Sequence, residues 1–89
     1  MKVYVVSNNW QFDSGECGEE ISTFSTLDKA RKELNELIKQ ARVDISDFDT
    51  EEEYDYDLND NLPLAFSIWE EGEYCYNHIN IKIYECEIL

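Results

Sequence analysis

The chain has 89 residues, of which 21 are Asp or Glu and 7 are Lys or Arg, so its formal net charge is −14 at pH 7. This charge argues against direct binding of nucleic acid, which depends on Lys and Arg displacing counterions, and against an anionic membrane surface. A hydrophobic content of 43%, with 13% aromatic residues, is too high for a disordered acidic tail. We therefore expect one folded domain over residues 1–89 with a small core.

The first elements predicted are two strands joined as a hairpin. Residues 2–7 are rich in β-branched and aromatic residues, and both alternating sets are apolar, which is typical of a central strand covered on both sides. Residues 11–18 carry two glycines and other turn formers, and residues 20–24 then alternate as a second strand. The opening ten residues lack the apolar run of a signal peptide or a membrane span, so we expect a soluble, cytoplasmic protein.

A helix is predicted after the hairpin. Ser25 is the expected N-cap, with Asp28 three positions later as in a weak capping box. An apolar stripe at helical spacing indicates one face packed on a sheet, and the helix is expected to end near Arg42. The stripe consists of Leu27, Ala30, Leu34, Leu37, Ile38 and Ala41.

Residues 44–62 form an acidic segment whose local structure has two interpretations. Residues 44–60 contain nine acids and no base. Thr50 followed by Glu53 is a capping box with acids in the first turn, which favours a short helix. Tyr54, Tyr56 and Leu58 alternate with acids, which favours a strand. We slightly favour the helix.

Two strands are predicted after Pro63. Residues 64–71 alternate, Glu71-Gly72 makes a turn, and the last strand changes its apolar phase near Asn77-His78, where we expect a loop or bulge. The resulting order is β-β-α-β-β. This order predicts an α+β fold with an antiparallel sheet of about four strands, one helix on one face, and the acidic segment between the helix and the C-terminal hairpin.

Metal and catalytic chemistry find little support in the sequence. Three cysteines without a CxxC motif indicate reduced thiols. A zinc site made of Cys17, Cys75, His78 and Cys86 is disfavoured, because Cys75 and His78 would lie on opposite faces of a continuous strand. Asp55, Asp57 and Asn59 match the first three ligand positions of an EF-hand calcium loop. The match then ends, because the sixth position is Asp60 where Gly is needed and the twelfth is Phe66 where Glu is needed. We predict no metal, no cofactor and no catalytic residue, and a protein that is not an enzyme.

Several stretches resemble a known group of proteins. They are residues 2–6 (KVYVV), residues 24–26 (FST) with Lys29-Ala30, and residues 69–74 (WEEGEY) continuing through Asn77-His78 to Ile81, Ile83 and Glu85. Together they are similar to small acidic uncharacterised proteins of bacterial, prophage and mobile-element genomes. The resemblance implies a mobile-element context and no assigned activity.

The distribution of charge supplies the functional prediction. Residues 1–43 carry seven acids and six bases, net −1, whereas residues 44–89 carry fourteen acids and one base, net −13. If residues 44–60 formed a helix, these seventeen residues would span about 26 Å and carry one carboxylate per about 2.8 Å. DNA has a similar charge spacing, about 1.7 Å for the duplex and about 3.4 Å for a single strand. Aromatic residues between the acids could anchor a contact.

We therefore expect a non-enzymatic binding protein that docks on a basic, nucleic-acid-binding protein surface as a nucleic-acid mimic, as anti-restriction and anti-CRISPR inhibitors do. Partner contact is assigned to Asp47, Asp49, Glu51, Glu52, Glu53, Tyr54, Asp55, Tyr56, Asp57 and Asp60. One alternative is an accessory domain that forms a homodimer through the uncovered sheet face, with Trp10 and Trp69 on that face. Another is an immunity protein for a basic nuclease toxin. The simplest alternative is that the acids only keep the chain in solution.

Overall fold

The chain folds as an antiparallel sheet with one helix packed on one face, so the predicted α+β class is confirmed. The computed structural model describes residues 1–45, 50–71 and 76–88. Within them the sheet has five strands in the order β2-β1-β5-β4-β3, with all neighbours antiparallel. In chain order the elements are β1 (Lys2–Gln11), β2 (Cys17–Phe24), α1 (Leu27–Asp44), β3 (Thr50–Tyr56), β4 (Pro63–Glu71) and β5 (Tyr76–Glu87).

The core lies between α1 and the three inner strands. The helix buries Ala30, Leu34, Ile38 and Ala41, and Leu27 and Leu37 pack against them partly buried, as the apolar stripe predicted. The sheet contributes buried apolar residues from β1, β4 and β5. These are Val6, Phe66, Ile68, Ile79, Ile81 and Ile83.

The hairpin and the helix are both longer than expected. Strands β1 and β2 pair from Tyr4–Phe24 to Gln11–Cys17, so β1 extends to Gln11 and the turn is shorter than predicted. The helix N-cap is Thr26 and not Ser25, because the Thr26 hydroxyl accepts the Lys29 backbone N–H at 3.3 Å. The helix ends at Asp44, two residues beyond the predicted end.

The short helix favoured for the acidic segment is wrong, because residues 50–56 form strand β3. This strand pairs with β4 from Thr50–Glu70 to Asp55–Ala65, and the register shifts between Asp55 and Tyr56. The sheet therefore has one strand more than the predicted order allowed. Leu58, which the strand interpretation placed in its alternating apolar set, is a fully exposed turn residue.

The bulge predicted near Asn77-His78 is also wrong. Strand β5 runs through these residues, which pair with Glu70 and Trp69 in an unbroken register with β4. The apparent change of phase along β5 has another cause. Ile79, Ile81 and Ile83 are buried in the core under the helix, whereas beyond them Tyr84 and Cys86 are exposed on the opposite face.

The connection through α1 decides where the acidic strand lies. Strand β2 is one edge of the sheet, and after α1 the chain resumes as β3 at the other edge. An edge strand has unpaired backbone groups along one side, and charged side chains there oppose pairing with another chain. In the described part of the chain, no helix combines the length and the apolar character needed to span a membrane.

Candidate functional site: the acidic edge strand

Strand β3 sorts its side chains onto the two faces of the sheet. On the helix side, Tyr54 packs against Phe66 with ring centroids 4.9 Å apart. Glu52 lies on the same side, because alternate residues of a strand share a face. Glu51, Glu53 and Asp55 therefore lie on the opposite side, where they are exposed. We call these three residues the acidic row.

Two arginines of α1 neutralise part of the acidic segment. Arg42 donates to both carboxylate oxygens of Glu52, with Nε–Oε1 at 2.8 Å and Nη2–Oε2 at 3.0 Å. Arg31 lies within 2.8 Å of Asp60 and 3.4 Å of Asp57. Three of the acids expected to contact a partner thus have a cation of their own chain beside them.

The positions of these arginines follow from helical geometry. Arg31 and Arg42 are eleven residues apart, which is about three turns of an α-helix, so both emerge on the side that faces β3. This role was not predicted from the sequence, in which Arg42 marked only the expected end of the helix. Their spacing, together with an acid-rich segment directly after the helix, is the signal that could have found it.

Tyr54 also contacts Arg42. Arg42 donates a hydrogen bond to its hydroxyl, and its ring also stacks on Tyr56 at a centroid distance of 5.8 Å. The hydrogen bond with Glu52 raises the pKa of Arg42 above its ordinary value, so this guanidinium stays charged. Tyr54 therefore serves the fold. Tyr56, with half of its surface exposed, stacks on Tyr54 and so lies on the helix side, on the opposite face from the acidic row.

No cation stands close enough to neutralise the acidic row among the described residues. Lys82 lies on the same face, but β4 separates it from β3, a distance of about 10 Å between the strands. Its ammonium group sits over the ring of Tyr84, 4.9 Å from the centroid. The row therefore carries three carboxylates at alternate positions, spaced about 7 Å apart along the strand.

The rest of the uncovered face is mainly polar at its centre. The Ser67 hydroxyl donates to Asn80 Oδ1, and Asn80 Nδ2 donates to Asn9 Oδ1 at 3.4 Å. Trp69 lies on this face beside His78, with ring centroids 6.3 Å apart. The expectation that Trp10 shares it is wrong, because Trp10 packs with the core on the helix side.

The other expected residues are placed as follows. Asp47 and Asp49 lie outside the described residues, as does Cys75 of the disfavoured zinc set. Cys17 is level with His78 on the uncovered face, since both pair with Gln11. Cys86 is eight residues further along β5, about 26 Å away. Where the chain is described, no three His, Cys, Asp or Glu side chains are grouped in a way that could hold a metal ion.

The extended form of β3 changes the charge spacing on which nucleic-acid mimicry depended. The value of about 2.8 Å per carboxylate assumed a helix. In the strand, the acidic row gives one charge per about 7 Å, half the linear density of a single DNA strand. Comparison with known proteins adds nothing to this geometry, since no family model, curated protein or solved structure matches the chain.

Proposed function

We propose that this protein is a small, non-enzymatic binding protein that docks on a basic surface of another protein through the acidic row and the adjoining edge of the sheet. The observation that supports this proposal is the absence of a neutralising cation beside Glu51, Glu53 and Asp55 in the described structure. Their neighbours Glu52, Asp57 and Asp60 all have an arginine partner.

A partner that approaches this edge of the sheet meets a row of like charges. Three like charges on a rigid strand repel one another, and a positively charged partner relieves that repulsion while its approach is accelerated. Trp69, which pairs with Glu51 on the same face, supplies an aromatic side chain beside the charges. The partner class that fits is a protein with a basic surface, such as one that binds nucleic acid. A close copy of duplex charge density forms no part of the proposal.

The experiment compares two variants with the same net charge. The row variant carries Glu51→Gln, Glu53→Gln and Asp55→Asn. The second variant, called the cavity variant, carries Glu16→Gln, Glu20→Gln and Asp44→Asn, three acids that line a cavity on the helix side of the sheet. Each variant removes three of the 21 acids.

Both variants and the wild type are immobilised and used for capture from a lysate of the source organism at low salt. We expect a basic protein to bind the wild type and the cavity variant, and to bind the row variant at least about tenfold more weakly. Competition with duplex DNA then tests whether the bound surface is the partner's nucleic-acid site. Equal capture by the row variant, or no capture of any basic protein by the wild type, would contradict the proposal.

A homodimer is the second candidate, and one observation favours it. At the β2-β1-β5 end of the uncovered face, Val5 pairs with Tyr84, which is 46% exposed, and is diagonal to Ile21, which is 63% exposed. Sedimentation equilibrium of the wild type and of Ile21→Lys tests it, with Ser22→Lys, an exposed position of the same strand on the opposite face, as the control. A dimer abolished by Ile21→Lys supports this candidate, and a monomer at the highest concentrations rejects it.

A further inference from the structure

A second feature of the molecule, on the opposite side of the sheet from the acidic row, is a cavity of about 620 Å³. It lies between the C-terminal half of α1, the end of β1 and the turn of the N-terminal hairpin. Small-molecule sites in proteins typically measure roughly 300–1,000 Å³. The cavity is therefore large enough to hold a small organic ligand.

One part of the cavity wall is apolar and aromatic. It consists of Trp10, Phe12, Leu37, Ala41 and Ile79. The indole of Trp10 is fixed in place by close packing on Gly18, where an added Cβ would lie 2.5 Å from Cζ2 of the ring. Such a wall accommodates a hydrocarbon chain, and an indole face attracts a cation.

The charged part of the wall has a single sign. Asp13, Glu16, Glu20 and Asp44 line the cavity, and no Lys or Arg is found among the described residues that line it. Their potentials add, and an apolar wall reduces the screening by water. A ligand with positive charge is therefore favoured over a neutral or anionic one.

A buried acceptor without a partner is the independent observation. Asn8 lines the same cavity, and its Oδ1 is buried with no hydrogen-bond partner in the described structure. A buried polar atom left unpaired costs about 1–3 kcal/mol. A hydrogen-bond donor placed in the cavity would supply the partner that this oxygen lacks, with rotation of the amide about its Cβ–Cγ bond to reach it.

We propose that this cavity binds an organic cation, namely a protonated amine or guanidinium group carried on a short aliphatic chain. The aliphatic chain packs against Trp10 and Phe12, and the cationic group donates hydrogen bonds to the carboxylates and to Asn8. Either a free amine or the side chain of a lysine or arginine residue provides this chemistry. The proposal is independent of the proposed function, because the cavity and the acidic row lie on opposite faces of the sheet.

The test is a nuclear magnetic resonance titration with cadaverine, in which 1,5-pentanediol serves as the neutral analogue of the same length. The two tryptophans report separately, since Trp10 lines the cavity and Trp69 lies on the uncovered face. We expect saturable shifts at the Trp10 indole N–H and the Asn8 side-chain amide with cadaverine, and no comparable shifts with the diol. The Trp69 indole should stay unchanged.

The variants described above supply the matched controls. The cavity variant should weaken cadaverine binding by about threefold to tenfold, and the row variant should leave it unchanged. Titration with Nα-acetyl-lysine methylamide separates the two sources: binding tighter than that of cadaverine indicates a protein side chain, and weaker binding a free amine. Shifts that fail to saturate by about 10 mM, that occur equally with the diol, or that follow the row variant would overturn the proposal.

Discussion

Arg42 on the helix and Glu52 on the edge strand form a bidentate ion pair, with Nε–Oε1 at 2.8 Å and Nη2–Oε2 at 3.0 Å. The same guanidinium carbon lies 5.5 Å from the ring centroid of Phe66 in the core. This pair links the helix directly to β3, because the helix side of that strand offers few apolar residues. The acidic strand is thus held by charge as well as by its backbone pairing with β4.

The first prediction concerns this pair. Arg42→Gln should lower the free energy of unfolding by about 1 kcal/mol. Partial exposure to water weakens the ion pair, whereas its bidentate geometry strengthens it. Urea unfolding of Arg42→Gln, Glu52→Gln and the double variant gives the coupling between the two residues. Lys39→Gln is the control, because Lys39 and Glu36 are exposed and 3.7 Å apart. A coupling near zero would show that the pair is only a surface contact.

The second prediction concerns Arg31 and the loop after β3. Its side chain is 14% exposed and contacts Asp57 and Asp60, and both of these acids also accept loop backbone N–H groups, from Asn59 at 2.8 Å and Leu62 at 3.1 Å. Arg31→Met should destabilise the protein by about 1–2 kcal/mol, because it leaves two close carboxylates without a cation.

Arg31→Lys should recover only part of that loss. A single guanidinium nitrogen, Nη2, contacts both carboxylates, and lysine keeps the charge on a side chain that reaches less far. Hydrogen exchange at the Asn59 and Leu62 amides is the second measurement, and both amides should exchange faster in Arg31→Met. Exchange rates equal to those of the wild type would contradict the role assigned to Arg31.

The third prediction contrasts two glycines of the hairpin. At Gly18 an added Cβ would lie 2.5 Å from the Trp10 ring, whereas at Gly15 nothing lies within 4 Å but φ is +91°. Gly18→Ala should displace the indole and cost about 1–3 kcal/mol. Gly15→Ala should cost about 1 kcal/mol through backbone strain alone.

Near-ultraviolet circular dichroism distinguishes the two glycine variants, because it reports the environment of the indole. The spectrum of Gly18→Ala should change and that of Gly15→Ala should resemble the wild type. If both spectra match the wild type, Trp10 does not pack on Gly18.

The fourth prediction concerns Lys2 and Glu85 at the start of β1 and the end of β5. The hydrogen bond to Glu85, with Nζ–Oε1 at 2.8 Å, raises the pKa of Lys2 above its ordinary 10.5. A pKa raised in the folded state contributes stability that is complete below pH 10.5 and is lost as the pH rises through the folded-state value.

A ¹³C titration of the Lys2 Cε resonance measures this pKa directly. Glu85→Gln should bring the pKa back towards 10.5. Glu87→Gln is the matched control, because Glu87 pairs with Lys2 across the strands without being the cause of the shift. If both variants lowered the pKa of Lys2 equally, the shift would come from the overall negative charge of the protein and not from Glu85.

Some elements could be predicted because their signals are local. The stripe from Leu27 to Ala41 repeats at helical spacing, and the helix buries that stripe. The β-branched residues of β1 indicated a central strand, and β1 pairs on both sides. The phase change in β5 misled the prediction, because a regular strand with apolar residues on both faces also shows both phases.

Local sequence signals could not predict the conformation of the acidic strand. Residues 50–58 satisfy both a capping box and a strand alternation, so propensity alone could not choose between them. Pairing with β4, the contact of Tyr54 with Phe66 and the ion pair of Glu52 with Arg42 all form only in the strand. These contacts join residues distant in sequence, and their combined energy decides the conformation.

The sequence by itself determined the sign of the charge, its concentration in residues 44–89 and the amphipathic helix, since composition and periodicity are properties of the chain. Only the tertiary structure decided which acids remain available to a partner. The reason is that α1 brings Arg31 and Arg42 beside Asp57, Asp60 and Glu52. The pleat of β3 turns Glu51, Glu53 and Asp55 to the other face, beyond the reach of either arginine.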